Sequence, residues 1–596
     1  MFPAIEPLEP RIAPASALAF YTDQDGDDVT IKITTSGGSS AALAAALENA
    51  QELSATGVGL QLRALHLSDA VFAGANVSIT ATRSAQFGGD GLVAVGELDS
   101  SGSLGTVVVE GDLGRIAAGA GAGTLAVKSL TVQSLGRYGM ATGDSTFSSL
   151  EGSVGKISVK EDVVGATLNI NGTTGVLSIA GNLEGGNSAN SITITGDAGI
   201  ISIGGHLISG TGSGSGKLRV LGDVTSLTVG GSLVGPSDGG NDPVGQIDIA
   251  GNAGKVLIKG DVIGGTDAYG VDRSQLTIAG TLASLQVNGS LLGSADGLFG
   301  GAGAGEVRVV GAAGSVKVLG DIVGSGSAGS GALTLLTAKT IFVGGDLIAG
   351  IGTSTGMIDL GAGTVQSLTV KGNIIGGTGS LSAGGIDGTL ETILQKVVIG
   401  GNLESRGDLS NQGFIAAGFI NNLLIKGDVI ASGEDGSTTE QIQGLLGLGK
   451  VVIGGAIRGN ELNTVKIFAD ELQSLLVTRN AEWAEIAITE ADAQVKSLTV
   501  NGAWIASRFT FATDNGADDI FGTNDDPAVG VNATGSIAKI VIAGQVSGTV
   551  GAGDSFVIRA PKIGSLTVAK QKYPFTTGPQ VFSLSITADV AARDTL

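Results

Sequence analysis

The chain has 596 residues, a net charge of −22, 103 glycines, 10 prolines and no cysteine. With 42% apolar residues it is too hydrophobic for a disordered low-complexity chain, and its glycines keep no collagen-like period of three. The acidic balance excludes nucleic acid and anionic lipid as partners, and the missing cysteine excludes disulfides, thiolate zinc sites and thiol chemistry.

In chain order, residues 1–20 read as an extended, proline-rich tail with Pro3, Pro7, Pro10 and Pro14. Arg11 is its only basic residue, a poor match to a secretory signal. Residues 21–95 are predicted to form an N-terminal cap and the first coils. They open on Asp23-Gln-Asp-Gly-Asp-Asp28. Asp23, Asp25 and Asp27 put hard oxygen donors at alternating positions around a glycine, which suits Ca²⁺. The spacing is not that of an EF-hand, because Thr34 stands where the twelfth-position Glu belongs. The competing reading is a solvated turn, for which Asp and Gly are equally suited. Residues 41–53 are predicted to be a short capping helix. Leu43, Leu47, Ala50 and Leu53 share a face, Ser39 or Ser40 caps the start, and Gly57 ends it. A helix there would cover the open edge of a first coil.

Residues 96–470 carry a repeated phrase: Ser or Lys, apolar, any, apolar, any, Gly, polar, apolar, any, Gly or Ser. It reads Ser226-Leu-Thr-Val-Gly-Gly-Ser-Leu-Val-Gly235, Lys255-Val-Leu-Ile-Lys-Gly-Asp-Val-Ile-Gly264 and Ser367-Leu-Thr-Val-Lys-Gly-Asn-Ile-Ile-Gly376. The glycine before the polar residue recurs at 181, 205, 231, 260, 289, 320, 345, 372, 401, 427 and 455, a mean period of about 27. Apolar residues two apart mark strands, and a second short strand precedes the phrase, as in Gln246-Ile-Asp-Ile-Ala250. No single repeat can bury its own apolar stripe, but stacked repeats bury it in one column. The predicted fold is therefore all-β: a right-handed parallel β-solenoid of about 27 residues per coil. At roughly 4.8 Å per coil, some 15–18 coils would make a rod of about 70–90 Å. Glycine is expected at the corners for its positive φ. The polar residue after it (Asp261, Ser290, Asp321, Asn373, Asp428) is expected to bond corner amides. No proline occurs from 15 to 235 or from 244 to 526, as stacked central strands require.

Residues 471–596 read as irregular C-terminal coils. They hold both tryptophans, Trp483 and Trp504, and an acidic insertion at 507–535. Within it Asp514, Asp518 and Asp525 are a second set of candidate Ca²⁺ ligands. No other cofactor is expected. There is no apolar run long enough to span a membrane. The glycine strings at 210–216 and 300–305 fail as phosphate cradles: Thr211 stands where a P-loop needs glycine, and Leu218 where it needs Ser or Thr. His206 occupies the corner position held elsewhere by Asp, Ser or Asn, and His66 has no Ser or acidic partner by motif. Solvent-facing strand positions are small or neutral (Ser178, Ser202, Thr228, Gln286, Thr369, Thr499) or apolar (Leu257, Phe342, Val398, Leu424). No catalytic residue is assigned, and the chain is not predicted to be an enzyme.

Leu8-Glu-Pro-Arg-Ile-Ala-Pro14 resembles the Leu-Glu-Pro-Arg N-terminal motif of large repeat-rich surface or exported proteins of planctomycete and verrucomicrobial bacteria. Tyr21-Thr-Asp-Gln-Asp-Gly-Asp-Asp-Val-Thr-Ile31 and the Ser-Leu-Thr-Val repeats are similar to the same group. The resemblance implies export and a cell-surface or outer-envelope role, and it carries over no catalytic residue. The resulting expectation is a structural or adhesive extracellular scaffold, with polysaccharide, envelope components or further copies of itself as partners. The alternatives are a carbohydrate-binding or polysaccharide-degrading β-helix protein and a bactofilin-like self-assembling filament.

Overall fold

A computed structural model describes residues 14–594, except 213, 237–246, 266–275, 295–301, 379–382, 407–411, 434–438, 512–533, 550–555, 577–579 and 585–589. It is 57% strand and 3% helix and forms a parallel β-solenoid of about 16 turns with about 26 residues per turn. The chain divides into two compact units, residues 1–236 with 246–256, and residues 237–245 with 257–596.

The first unit begins antiparallel. Strand β1 (Ala15–Thr22) pairs with β2 (Asp28–Thr35) through a tight turn at Gly26, so the paired chain starts inside the segment read as a tail. Helix α1 (Ser40–Ala50) is capped by Ser39, whose Oγ accepts from the Ala42 amide at 3.4 Å, and it buries Leu43, Leu47 and Ala50. It ends three residues earlier than predicted. Gln51 turns extended (φ −92°, ψ 127°), and β3 (Gln51–Thr56) pairs antiparallel with β4 (Gly59–His66). Leu53 therefore sits on a strand, 36% exposed, instead of on the helix's buried face. Gly57 serves the β3–β4 turn at φ +60°, and a methyl group on it would stand 2.1 Å from the Gln24 carbonyl.

Strand β5 (Asn76–Thr82) pairs antiparallel with β2 and parallel with β7 (Leu104–Ala118), while β6 (Val95–Asp99) stacks parallel on β4. The stack then continues in parallel register through β8 (Leu125–Leu135). Leu130, Ile157, Leu177, Ile201 and Leu227 lie directly over one another and are all buried. Each such side chain contributes about 1.5–3 kcal/mol on burial, which is why the period-two pattern fixes both face and register.

In the second unit a corresponding buried column runs Leu285, Val316, Ile341, Leu368, Val397, Leu423, Val451, Leu475, Leu498, Ile540 and Leu566. Stacking thus persists in register well past residue 470. At its end Leu566–Val568 pairs antiparallel with Gln571–Tyr573, and Gln580–Ser583 antiparallel with Val590–Asp594.

The recurrent glycine has a different cause from the one expected. None of the anchors at 181, 205, 231, 260, 289, 320, 345, 372, 401, 427 and 455 has positive φ. At all of them but Gly260, a Cβ would stand 1.9–2.7 Å from the polar side chain of the coil before, with that coil's backbone close behind it at most of them. The polar residue of one coil accepts a hydrogen bond from the backbone amide of its counterpart in the next. Ser290 N donates to Asp261 Oδ1 (2.8 Å), Asp321 N to Ser290 Oγ (3.0 Å) and Asp346 N to Asp321 Oδ1 (2.8 Å). Asn373 N donates to Asp346 Oδ1 (2.5 Å), Asn402 N to Asn373 Oδ1 (2.9 Å), Asp428 N to Asn402 Oδ1 (2.9 Å) and Ala456 N to Asp428 Oδ1 (2.7 Å). A methyl group on Gly372 would stand 2.0 Å from Asp346 Oδ1, and one on Gly345 1.9 Å from Asp321 Oδ1. Ala456 offers no acceptor, and the position above Gly455 is then Arg479, whose amide donates to the Gly455 carbonyl. Positive φ is used at another corner, just before the strand that opens some of the coils, as at Gly216 (+67°), Gly331 (+52°) and Gly356 (+60°).

Candidate functional site

The hairpin tip between β1 and β2 gathers the first acidic set. Strand alternation continues into the turn from both sides. Tyr21 and Asp23 follow the inward face of β1, and Asp27 extends the inward row of Val29, Ile31 and Ile33 on β2. Asp23 is 5% exposed and Asp27 0%, whereas Asp25 projects into solvent. One carboxylate oxygen from each of the three lies within 4.8 Å of the others.

Asp23 Oδ1 accepts from the amides of Gly26 (3.1 Å) and Asp27 (2.8 Å), which shapes the turn. Segment 84–91 closes over the tip. Asp90 N donates to Asp25 Oδ2 (3.2 Å) and Gly91 N to Asp27 Oδ2 (2.6 Å). Gly89, at φ +96°, lets this backbone approach, since a methyl group on it would stand 1.9 Å from Asp27 Oδ1. Two buried oxygens keep no hydrogen-bond partner, Asp27 Oδ1 and the Tyr21 phenol. Burial pushes the Asp23 carboxyl up to about 7, reinforced by its hydrogen bond with Asp25 and the charges of Asp25 and Asp27. Burial, with Asp23 beside it, also raises the Tyr21 phenol. An acidic cleft of about 250 Å³ opens beside the tip, lined by Asp23, Asp25, Asp90, Asp112 and Glu161 against Arg137. Among the described residues this is the acidic group able to hold a metal ion. Asp514, Asp518 and Asp525 lie outside the described residues.

Sequence reasoning found the triad but missed its roof. The string Gly88-Gly89-Asp90-Gly91 was the available signal.

His66 joins an ion-pair network on β4, β6 and β7. Its Nδ1 lies 3.4 Å from Asp99 Oδ2 and its Nε2 3.7 Å from Glu52 Oε2. Arg115 holds both Glu97 (2.6 Å) and Asp99 (2.9 Å), and Arg63 pairs with Asp144. Each acid of the network is held by an arginine, and the network ties neighbouring strands together. His206 is a ladder rung: its Nδ1 accepts from the Ser232 amide at 3.0 Å.

Two clefts lie in the second unit. One, of about 450 Å³, brings together the amides of Asn421, Asn422 and Gln473, the carboxylates of Glu471 and Asp492, and the Phe419 ring. The other, of about 270 Å³, is lined by Glu306, Arg308 and Asp359. Asp387 stacks one coil beyond Asp359 in register. Desolvation raises Asp359, and desolvation plus the Asp359 charge lifts Asp387 to about 6. Within each unit the outward positions singled out in the sequence stack in register: Ser178, Ser202 and Thr228 in the first unit, and Gln286, Phe342, Thr369, Val398, Leu424 and Thr499 in the second. All are half-buried.

No helix among the described residues is long and apolar enough to cross a membrane. Comparison with protein-family models, with curated proteins and with solved structures returned no match.

Proposed function

We propose that this chain is a structural or adhesive scaffold displayed on the surface or outer envelope of a bacterium, with no enzymatic activity of its own. The observation that carries the reading is the side-chain ladder. One acceptor per coil ties each turn to the next over eight successive positions from Asp261 to Ala456. Such interlocking resists shear between coils and serves mechanical persistence, and it supplies no group that reacts. Immunogold labelling of intact cells tests the proposal. Gold on the outer face is the expected result, and label confined to the cytoplasm refutes it.

A second reading, carbohydrate binding or cleavage, is favoured by the 450 Å³ cleft, whose amides, carboxylates and aromatic ring are the groups that pair with sugar hydroxyls and faces. A glycan array combined with a reducing-sugar assay separates binding from cleavage. Silence in both leaves the scaffold reading standing alone.

A further inference from the structure

We infer that the β1–β2 hairpin tip is a divalent-cation site, and that Asp23, Asp25 and Asp27 hold Ca²⁺ there to pin segment 84–91 onto the first strands. Three carboxylates meeting within 4.8 Å would not by themselves justify this. The deciding feature is Asp27. It has no exposed surface, one of its oxygens accepts from Gly91 N, and the other has no hydrogen-bond partner. A fully buried carboxylate oxygen without a donor is costly, because it has left water and gained nothing in return. Nearby side chains do not relieve it: among the described residues no Lys or Arg pairs with Asp23, Asp25 or Asp27. The Tyr21 phenol on the same inward face as Asp23 is a second buried oxygen without a partner.

The donors are all oxygen and all hard, which selects Ca²⁺ over the nitrogen- and sulfur-seeking transition metals. Entry is provided by the 250 Å³ cleft, where five carboxylates face one guanidinium, itself taken up by Glu161. Such a wall concentrates cations at its floor. Closure is provided by the backbone at Gly89–Gly91, whose hydrogen bonds to Asp25 and Asp27 make the triad and the overlying segment one unit. Cation binding is therefore coupled to docking of that segment, and it is independent of where the protein is displayed.

The test uses the full chain, stripped with a chelator and titrated with CaCl₂ by calorimetry and by thermal melting. A dissociation constant in the range of about 10⁻⁵–10⁻³ M is expected for such a site. At about tenfold excess over that constant, the melting temperature of the first unit should rise by about 3–5 °C. Asp25→Asn is the informative variant, because Asp25 is exposed and the amide oxygen can still accept from Asp90 N, so folding is preserved. It should lower affinity at least tenfold, and Asp25→Asn with Asp27→Asn should abolish the shift. Asn at positions 514, 518 and 525 should leave the shift unchanged, which separates the two acidic loops. The inference is overturned if the stripped wild-type chain shows neither heat nor a melting shift, or if the shift survives in the Asp25→Asn/Asp27→Asn chain.

Discussion

Replacing Asp346 by Ala removes one rung of the ladder and tests what the glycine anchors are for. Its Oδ1 accepts from both Asn373 N (2.5 Å) and Asn373 Nδ2 (3.1 Å), while its own amide donates to Asp321 Oδ1. Hydrogen bonds to a charged group contribute about 1.5–3 kcal/mol, and an amide left without an acceptor in a part-buried corner adds to the loss. The expected cost is therefore about 2–3 kcal/mol for Asp346→Ala. Asp346→Asn should cost less than about 1 kcal/mol, because Asn373 and Asn402 already act as rungs with their amide oxygens. A long repeat array need not melt in one step, so the sharper assay is hydrogen exchange at the Asn373 amide. Protection there should fall roughly 30- to 150-fold in the Ala variant and by less than tenfold in the Asn variant. Gly372→Ala should be at least as damaging, since its methyl would stand 2.0 Å from Asp346 Oδ1. The double variant Gly372→Ala/Asp346→Ala should cost less than the sum of the two. Unchanged exchange in Asp346→Ala would refute the rung, and strict additivity in the double variant would refute the steric account of the anchors.

Other outcomes follow from the same geometry. His206→Asn should leave stability within about 1 kcal/mol, whereas His206→Lys, which offers no acceptor to Ser232 N, should cost about 1–2 kcal/mol by urea unfolding. Trp504 is fully buried, with its Nε1 donating to the Ser507 carbonyl at 2.9 Å, so Trp504→Ala should destabilise the second unit by about 3–5 kcal/mol, read by chemical denaturation. Asp387 is lifted from 3.8 to about 6 in the folded chain, so its protonated form stabilises. That contribution is complete below about pH 4 and is lost as pH rises through about 6. The melting temperature of the second unit should fall over this window in the wild type, and by less in Asp387→Asn.

The period was legible because its cause is local: apolar residues two apart, each copy closed by Gly and a polar residue. The purpose of that Gly was not. Gly372 and Asp346 are 26 residues apart and meet only once coils are stacked, so adjacency in sequence suggested a bent backbone where the real constraint is a neighbour's carboxylate. Helix α1 was legible from its apolar face and its Ser39 cap, and its end was not, because Leu53 continues the helical spacing while Gln51–Thr56 finds a stronger partner in β4. For the acidic tip, composition pointed to Asp23, Asp25 and Asp27. Only the antiparallel pairing of β1 with β2 shows that Asp23 and Asp27 turn inward and Asp25 outward.

A rung that accepts from above and donates below is indifferent to which coil it meets. Asp321 now receives Asp346 N; were residues 346–372 excised, it would receive Asn373 N in the same corner. The chain can therefore gain or lose whole turns by in-frame duplication or deletion without any compensating substitution. Insertions of a few residues are absorbed between rungs, since successive anchors already stand from 24 (181 to 205) to 31 (289 to 320) residues apart. The ladder therefore counts coils and leaves the circumference of each coil free.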